Sequence, residues 1–318
     1  MSVLNALTAA VLPVLAIAVV GYALGILRDV EVDPLGTVTM YVLTPALVFH
    51  SLTTTELGGR DVAGVVGGVV LFTAVMVLLS EGTGRAIGET EPNRSGFVLA
   101  STFPNSGNFG IPLSAFAFGA LGRSTAVLFL TTQSILVYTL GLYIASRGRG
   151  SVRESLTEVL RVPLVYAVVL AGIVRFLGLV PPAESTAMQT IGLVGDAAIP
   201  MLLIVLGIQL ANVDASAALG RVVPASVLKL GVAPAVGVAL LPVLGITEPT
   251  IARTFVLETA MPAAITPLIF AIEFDVPGDG ENDVSRPEYL ATAILTTTLA
   301  SVPTLTVLIV LLESGLIV

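Results

Sequence analysis

"PNSGNFGIP", residues 104–112, interrupts a stretch that otherwise reads as a membrane span. Two prolines, two asparagines, two glycines and a serine fall within nine residues. Proline removes a backbone donor and clashes with the preceding turn. Glycine is a poor helix former, and asparagine is costly in lipid. In the bilayer core an unpaired peptide group costs several kcal/mol, so a break of this kind survives only inside protein or beside a wet cavity. The motif therefore marks a span whose helix is opened for a use.

The rest of the chain agrees with a bilayer setting. It has 318 residues, of which 55% are hydrophobic and 11% charged, and its mean hydropathy is +0.99. Soluble globular chains are about 25% charged. The fold class expected is an all-α integral membrane protein. The first apolar run lacks a basic leading region and a clear cleavage site, so it is expected to be a retained helix. There are no cysteines and one histidine, His50. That excludes thiol chemistry and argues against a His-based metal site, so no cofactor or metal is expected. A net charge of −8 with a single lysine argues against nucleic acid as a partner.

Ten spans are predicted, near 4–27, 37–54, 62–80, 95–120, 124–146, 161–179, 189–211, 221–244, 251–274 and 288–312. The basic connector 147–160 separates a first set of five (1–146) from a second (161–318). The halves echo each other. "TPAL" at Pro45 and "IPML" at Pro200 stand 155 residues apart, as do "IPLSAF" at Pro112 and "TPLIFA" at Pro267. A shared offset at two proline sites predicts an internal repeat. The odd number of spans per half makes the two copies inverted. Connectors after odd-numbered spans hold most of the arginines, among them Arg28, Arg85, Arg94, Arg147, Arg149, Arg153, Arg161, Arg221 and Arg286. The other side has Arg60, Arg123, Arg175 and Arg253. The arginine-rich side is expected to be cytoplasmic, with both termini outside a cell membrane.

Span 9, "ARTFVLETAMPAAITPLIFAIEF", has its own break between Met261 and Pro267. Interrupted spans at corresponding places in two halves point to a transporter binding site. In span 4 the first half-helix is expected to end near Thr102 and the second to start near Phe109. The N-terminus of each second half-helix suits an anion, and Asn105 and Asn108 add amide groups. The C-terminus of each first half-helix suits a cation, and Glu258 stands just before the second break. Lys229, inside span 8, either snorkels, neutralises a glutamate, or faces the site to hold a carboxylate or exchange a proton. Gln209 is expected to point inward from span 7. Gln133 either lines the site or bonds a neighbouring helix, the second being favoured. His50 is expected near the headgroups.

"STFPNSGNFGIPL" resembles the fourth-helix motif of the auxin efflux carrier family, and "ETAMPAAITPLIFA" resembles its ninth-helix motif. Prokaryotic members of that family include organic-acid permeases such as those for malonate. The resemblance covers essentially the whole chain. It implies a scaffold of spans 1, 2, 6 and 7 and a mobile transport domain of spans 3–5 and 8–10. It further implies that broken helices 4 and 9 cross at the substrate site, that transport is elevator-like, and that a homodimer forms through the scaffold. The substrate residues it implies are Pro104, Asn105, Gly107, Asn108, Gly110, Pro112, Met261, Pro262 and Pro267, with Glu258, Lys229 and Gln209 as candidates for ion coupling. Plant members have an asparagine after the second crossover proline, where this chain has Ala263. A more distant likeness is to bile acid:sodium symporters, whose Glu-x-x-Met spacing is matched by Glu258 and Met261; it implies Na⁺ near Glu258.

The function expected is a secondary carrier of a small organic anion, a mono- or dicarboxylate, with H⁺ or Na⁺ as a coupling ion. The alternatives are a sodium-coupled uptake carrier like the bile acid symporters, a channel, or an intramembrane enzyme. The chain has no Gly-x4-Gly-Lys phosphate loop and no His-Glu-x-x-His zinc motif. Asp196 and Asp214 are predicted at opposite ends of span 7, which does not suit an aspartyl dyad.

Overall fold

The computed structural model describes residues 7–28, 30–55, 57–146, 160, 162–212, 219–274 and 284–317. The basic connector, apart from Leu160, lies outside the described residues, as do Arg161, Asp214 and residues 275–283.

Among the described residues the chain is helical, with one isolated β-bridge. The helices are α1 (Thr8–Arg28), α2 (Val32–Thr54), α3 (Gly59–Ala86), α4 (Asn93–Thr102) and α5 (Ser106–Ala145). They continue with α6 (Pro163–Phe176), α7 (Thr186–Ala211), α8 (Val223–Leu244), α9 (Pro249–Thr259), α10 (Thr266–Glu273) and α11 (Arg286–Glu313). Seven are long and apolar enough to cross a membrane. The others have 14 residues or fewer. At a rise of about 1.5 Å per residue, 14 residues reach roughly 21 Å, short of a core ~30 Å thick. The count falls below the ten predicted spans for three reasons: spans 4 and 5 share α5, span 6 is the single short helix α6, and span 9 is divided between α9 and α10.

α5 is not one straight rod. Gly119 has φ 64° and ψ −150°, a conformation that favours glycine. A Cβ added at Gly122 would lie 2.5 Å from the Ser114 carbonyl oxygen. Eight residues apart in a straight helix would be about 12 Å apart, so the chain folds back at Gly119. This reversal falls where the sequence predicts the boundary between spans 4 and 5. α3 extends beyond the predicted 62–80. Arg85 pairs with Glu81 at 2.8 Å, and Arg94 reaches the same carboxylate at 3.3 Å, so charged pairing carries the helix past its apolar part.

α7 packs along α1, and α2 packs against α6 and α7. The α1–α7 contact is close: a Cβ at Gly21 would meet the Ile204 carbonyl oxygen at 2.3 Å, and one at Gly207 the Ala18 carbonyl oxygen at 2.0 Å. Small residues at such an interface let helices approach where the hydrophobic effect supplies little drive. His50 packs on Gly192 and so joins α2 to α7. α3, α4, α5, α8, α9, α10 and α11 pack on one another, and α5 also packs on α1, α2 and α7. A core of Phe72, Met76, Phe109, Phe129, Phe255 and Met261 continues onto Val14 of α1 and Leu203 of α7, and the rings of Phe129 and Phe255 are 5.7 Å apart. Large apolar side chains remain exposed around the outside, including Leu27, Leu78, Phe176 and Val243.

Two arginines counted in the loops serve the packing. Arg286 is fully buried and donates to the carbonyls of Ala145 and Phe274, at the ends of α5 and α10. Arg175 donates to the carbonyls of Leu52 at 2.7 Å and Thr55 at 2.6 Å, closing the end of α2. Cations at helix C-termini complement both the dipole and the free carbonyls.

Candidate functional site

The two helix breaks meet. α4 ends at Thr102 and α5 begins at Ser106; α9 ends at Thr259 and α10 begins at Thr266. Between them Pro104 and Ala263 form an antiparallel bridge. The Asn105 amide donates to the Pro262 carbonyl at 2.7 Å, and the Ala264 amide donates to the Phe103 carbonyl at 2.9 Å.

Side chains satisfy more of the backbone that the breaks release. Gln133 donates to the Pro104 carbonyl at 2.6 Å and accepts from the Ser106 hydroxyl at 3.0 Å. Thr297 accepts from the Ala263 amide at 3.0 Å. The Asn105 side chain accepts from the Asn108 amide at 3.2 Å, capping α5. Lys229 donates to the Thr259 carbonyl at 3.3 Å, at the end of α9. An open backbone at this depth thus has protein partners, as a low-dielectric setting demands.

A cavity of about 220 Å³ lies on one side of the crossing. Pro104, Asn105, Ser106, Gly107 and Asn108 form one wall, and Ala264, Ile265 and Thr266 another. The starts of both α5 and α10 therefore open on it. Gln133, Ser134 and Tyr138 come from the far half of α5, Thr39 and Thr44 from α2, and Gln209 from α7. Asn108 donates to Gln209 across the cavity at 3.2 Å. Asn105 is only 6% exposed, and its side-chain amide nitrogen, Nδ2, has no hydrogen-bond partner.

A second polar centre lies behind the cavity wall, with the wall residue Ser106 as a neighbour of its Glu258 carboxylate. Glu258 is fully buried and accepts from the Ser114 hydroxyl at 2.7 Å through Oε1, while Oε2 has no hydrogen-bond partner. A Cβ at Gly110 would lie 2.3 Å from Oε2, so the missing side chain makes room for the carboxylate. Lys229 is also fully buried, which removes the snorkelling option, and its ammonium lies 5.7 Å from the centre of the Phe72 ring. It interacts electrostatically with Glu258, but the two form no ion pair within 4.0 Å.

The predicted residues thus fall into two groups. Pro104, Asn105, Gly107, Asn108 and Gln209 line the cavity. Gly110, Pro112, Met261, Pro262, Pro267, Glu258 and Lys229 do not; they build the crossing or the buried centre. Gln133 takes both roles that the sequence left open: it bonds the neighbouring break and lines the cavity. Ser114, Thr39, Thr44 and Thr266 are not singled out by sequence; all but Thr39 stand inside the repeated proline motifs, whose signal lies in the prolines and not in the neighbouring hydroxyls.

The model of the membrane transport protein family matches residues 6–309, nearly the whole chain. The chain belongs to this family, that of the auxin efflux carriers. An uncharacterized transporter of Methanothermobacter thermautotrophicus is 27% identical over 282 residues, covering 86% of this chain and 90% of that protein. In this chain the quoted motifs, residues 101–113 and 258–271, are the segments that form the crossing.

Proposed function

We propose that the chain is a secondary carrier of a small organic anion, a mono- or dicarboxylate, held at the crossing by the starts of α5 and α10 and by Asn105 and Asn108. The observation that carries this reading is the side-chain amide nitrogen of Asn105, Nδ2. It is a buried donor without a partner, at a helix start, beside a cavity. Leaving such a group unsatisfied costs about 1–3 kcal/mol, and an anionic oxygen would satisfy it. Donors at a helix N-terminus favour negative charge.

The carrier moves by an elevator. Ten spans form two inverted repeats, with α4 and the first part of α5 as the fourth span and α9 with α10 as the ninth. Spans 1, 2, 6 and 7 are the scaffold, and the others travel with the crossing. The packing of α1 and α2 on α6 and α7, and of the remaining helices on one another, supports that division. The termini face outward, and the scaffold forms a homodimer.

Export of one net negative charge is favoured by about 2.3 kcal/mol per 100 mV when the inside is negative. Uptake requires a coupled cation, H⁺ or Na⁺, and the unpartnered Glu258 Oε2 is its natural seat. In the sodium-coupled alternative the same carboxylate is an ion ligand.

The test is uptake of labelled organic anions into proteoliposomes, with and without Na⁺ or a pH gradient. Asn105→Ala and Asn108→Ala should fold and lose transport by roughly 10- to 100-fold, the worth of one hydrogen bond to a charged group. Undiminished transport in both variants would remove the crossing as the binding site.

A further inference from the structure

Arg123 and Ser124 stand just past the reversal at Gly119, at the start of the second half of α5. Both reach helices assigned above to the scaffold. Arg123 pairs with Asp196 of α7 at 2.7 Å, and the Arg123 side chain is only 17% exposed. The Ser124 hydroxyl is fully buried. It lies 2.7 Å from the Thr55 hydroxyl, just past the end of α2, and donates to the Ser51 carbonyl at 3.2 Å.

These contacts lie away from the cavity on all three helices. On α2 the cavity residues Thr39 and Thr44 precede Ser51 and Thr55. On α7 Leu202 and Gln209 follow Asp196. On α5 the cavity residue Gln133 follows Ser124 by roughly 14 Å along the helix, at about 1.5 Å per residue. The contact of α5 with the scaffold thus has a cavity toward one end and a polar closure toward the other.

We infer that Arg123 and Ser124 form a latch that closes the side away from the cavity and is released each time the site turns to that side. This rests on the carrier reading above and adds the contact that separates its two states. Alternating access moves one bundle against another around the site. The chemistry of the contact suits repeated release. Apolar surfaces in the same place would be stripped into water at every turn. Hydroxyls, a carboxylate and a guanidinium instead exchange their partners for water at small net change. Arg123 Nε, buried without a hydrogen-bond partner, takes one from water when the latch opens.

The test joins the latch covalently. The chain has no cysteine, so Thr55→Cys with Ser124→Cys places a single pair of thiols where two oxygens lie 2.7 Å apart, within reach of a disulfide. In proteoliposomes, oxidation with copper phenanthroline should form the bond and lower transport of a labelled carboxylate that the native chain moves by at least about tenfold. Reduction should restore it. Failure of the pair to cross-link, or undiminished transport by the cross-linked protein, would overturn the inference and leave the carrier reading standing. A native chain that moves no carboxylate tried would overturn both.

A second arm needs no transport by the variant. Ser124→Cys alone buries one thiol at the latch. Asp196→Ala or Arg123→Ala in that background removes the ion pair, and alkylation of the thiol by a small maleimide should rise about threefold with the melting curve retained. An unchanged rate in both would contradict the latch.

Discussion

The carboxylate of Glu258 lies where a side chain on Gly110 would begin. A Cβ there would approach Oε2 to 2.3 Å and Oε1 to 2.7 Å. Gly110 has ordinary helical angles, so its need for glycine is one of space. Gly110→Ala should therefore lower stability by about 1–3 kcal/mol, as overpacking does. In a Glu258→Ala background, itself destabilised because the buried Lys229 loses its opposite charge, Gly110→Ala should cost much less than it does in the native chain. Melting curves of the two single variants and the double variant in detergent measure the coupling, and additive losses would contradict the contact.

Ala264 tests the bridge. Its amide supplies one of the two bonds across the breaks. Ala264→Pro deletes the donor and leaves the buried Phe103 carbonyl without it, at about 1–3 kcal/mol. Ala264→Ser keeps the donor and should be close to neutral. Similar melting temperatures for the two variants would show that the bridge adds nothing.

Gln133 tests the polar support beneath the first break. Gln133→Leu has similar bulk but loses both the bond to Pro104 and the bond from Ser106. A loss on the order of 3 kcal/mol is expected. Transport should fall with it, since the bonds hold the wall that carries Asn105. Wild-type stability and rate in Gln133→Leu would contradict this.

Lys229→Met removes the cation at the end of α9 and leaves the buried Glu258 without its opposite charge. Breaking a buried charge arrangement from one side costs roughly 3–5 kcal/mol. Lys229→Met with Glu258→Gln should recover most of the loss, because no uncompensated charge remains. If the double variant melts no higher than the single one, the two groups are not energetically linked.

Much of the fold follows from local rules that a sequence displays. Pro104, the glycines and the asparagines cannot continue a helix, so the first half-helix ends at Thr102 as expected. The second starts at Ser106 and not near Phe109, because the Asn105 side chain caps it three residues earlier than the glycines suggest. The second break, Met261 to Pro267 by sequence, covers 260–265. What the sequence does not display is pairing between distant residues. That Gln133 reaches back to Pro104, that Ser114 meets Glu258, and that Arg286 and Arg175 close helix ends all depend on which helices touch. Periodicity and composition carry no such information. The division of the polar residues into a cavity wall and a separate buried centre was illegible for the same reason.

The central claim is that the transported anion sits in the cavity beside the crossing. The chain has no cysteine, so a single Ser134→Cys places one thiol on the cavity wall without further change. A second protein, Ser314→Cys, carries its thiol on an exposed position at the end of α11. The measurement is the rate of alkylation by a small water-soluble maleimide, with and without a saturating transported carboxylate. Protection of Cys at 134 by at least about fivefold, with no effect at 314, is the result expected of a ligand that fills the cavity. An alkylation rate at 134 that the transported anion leaves unchanged would contradict the claim.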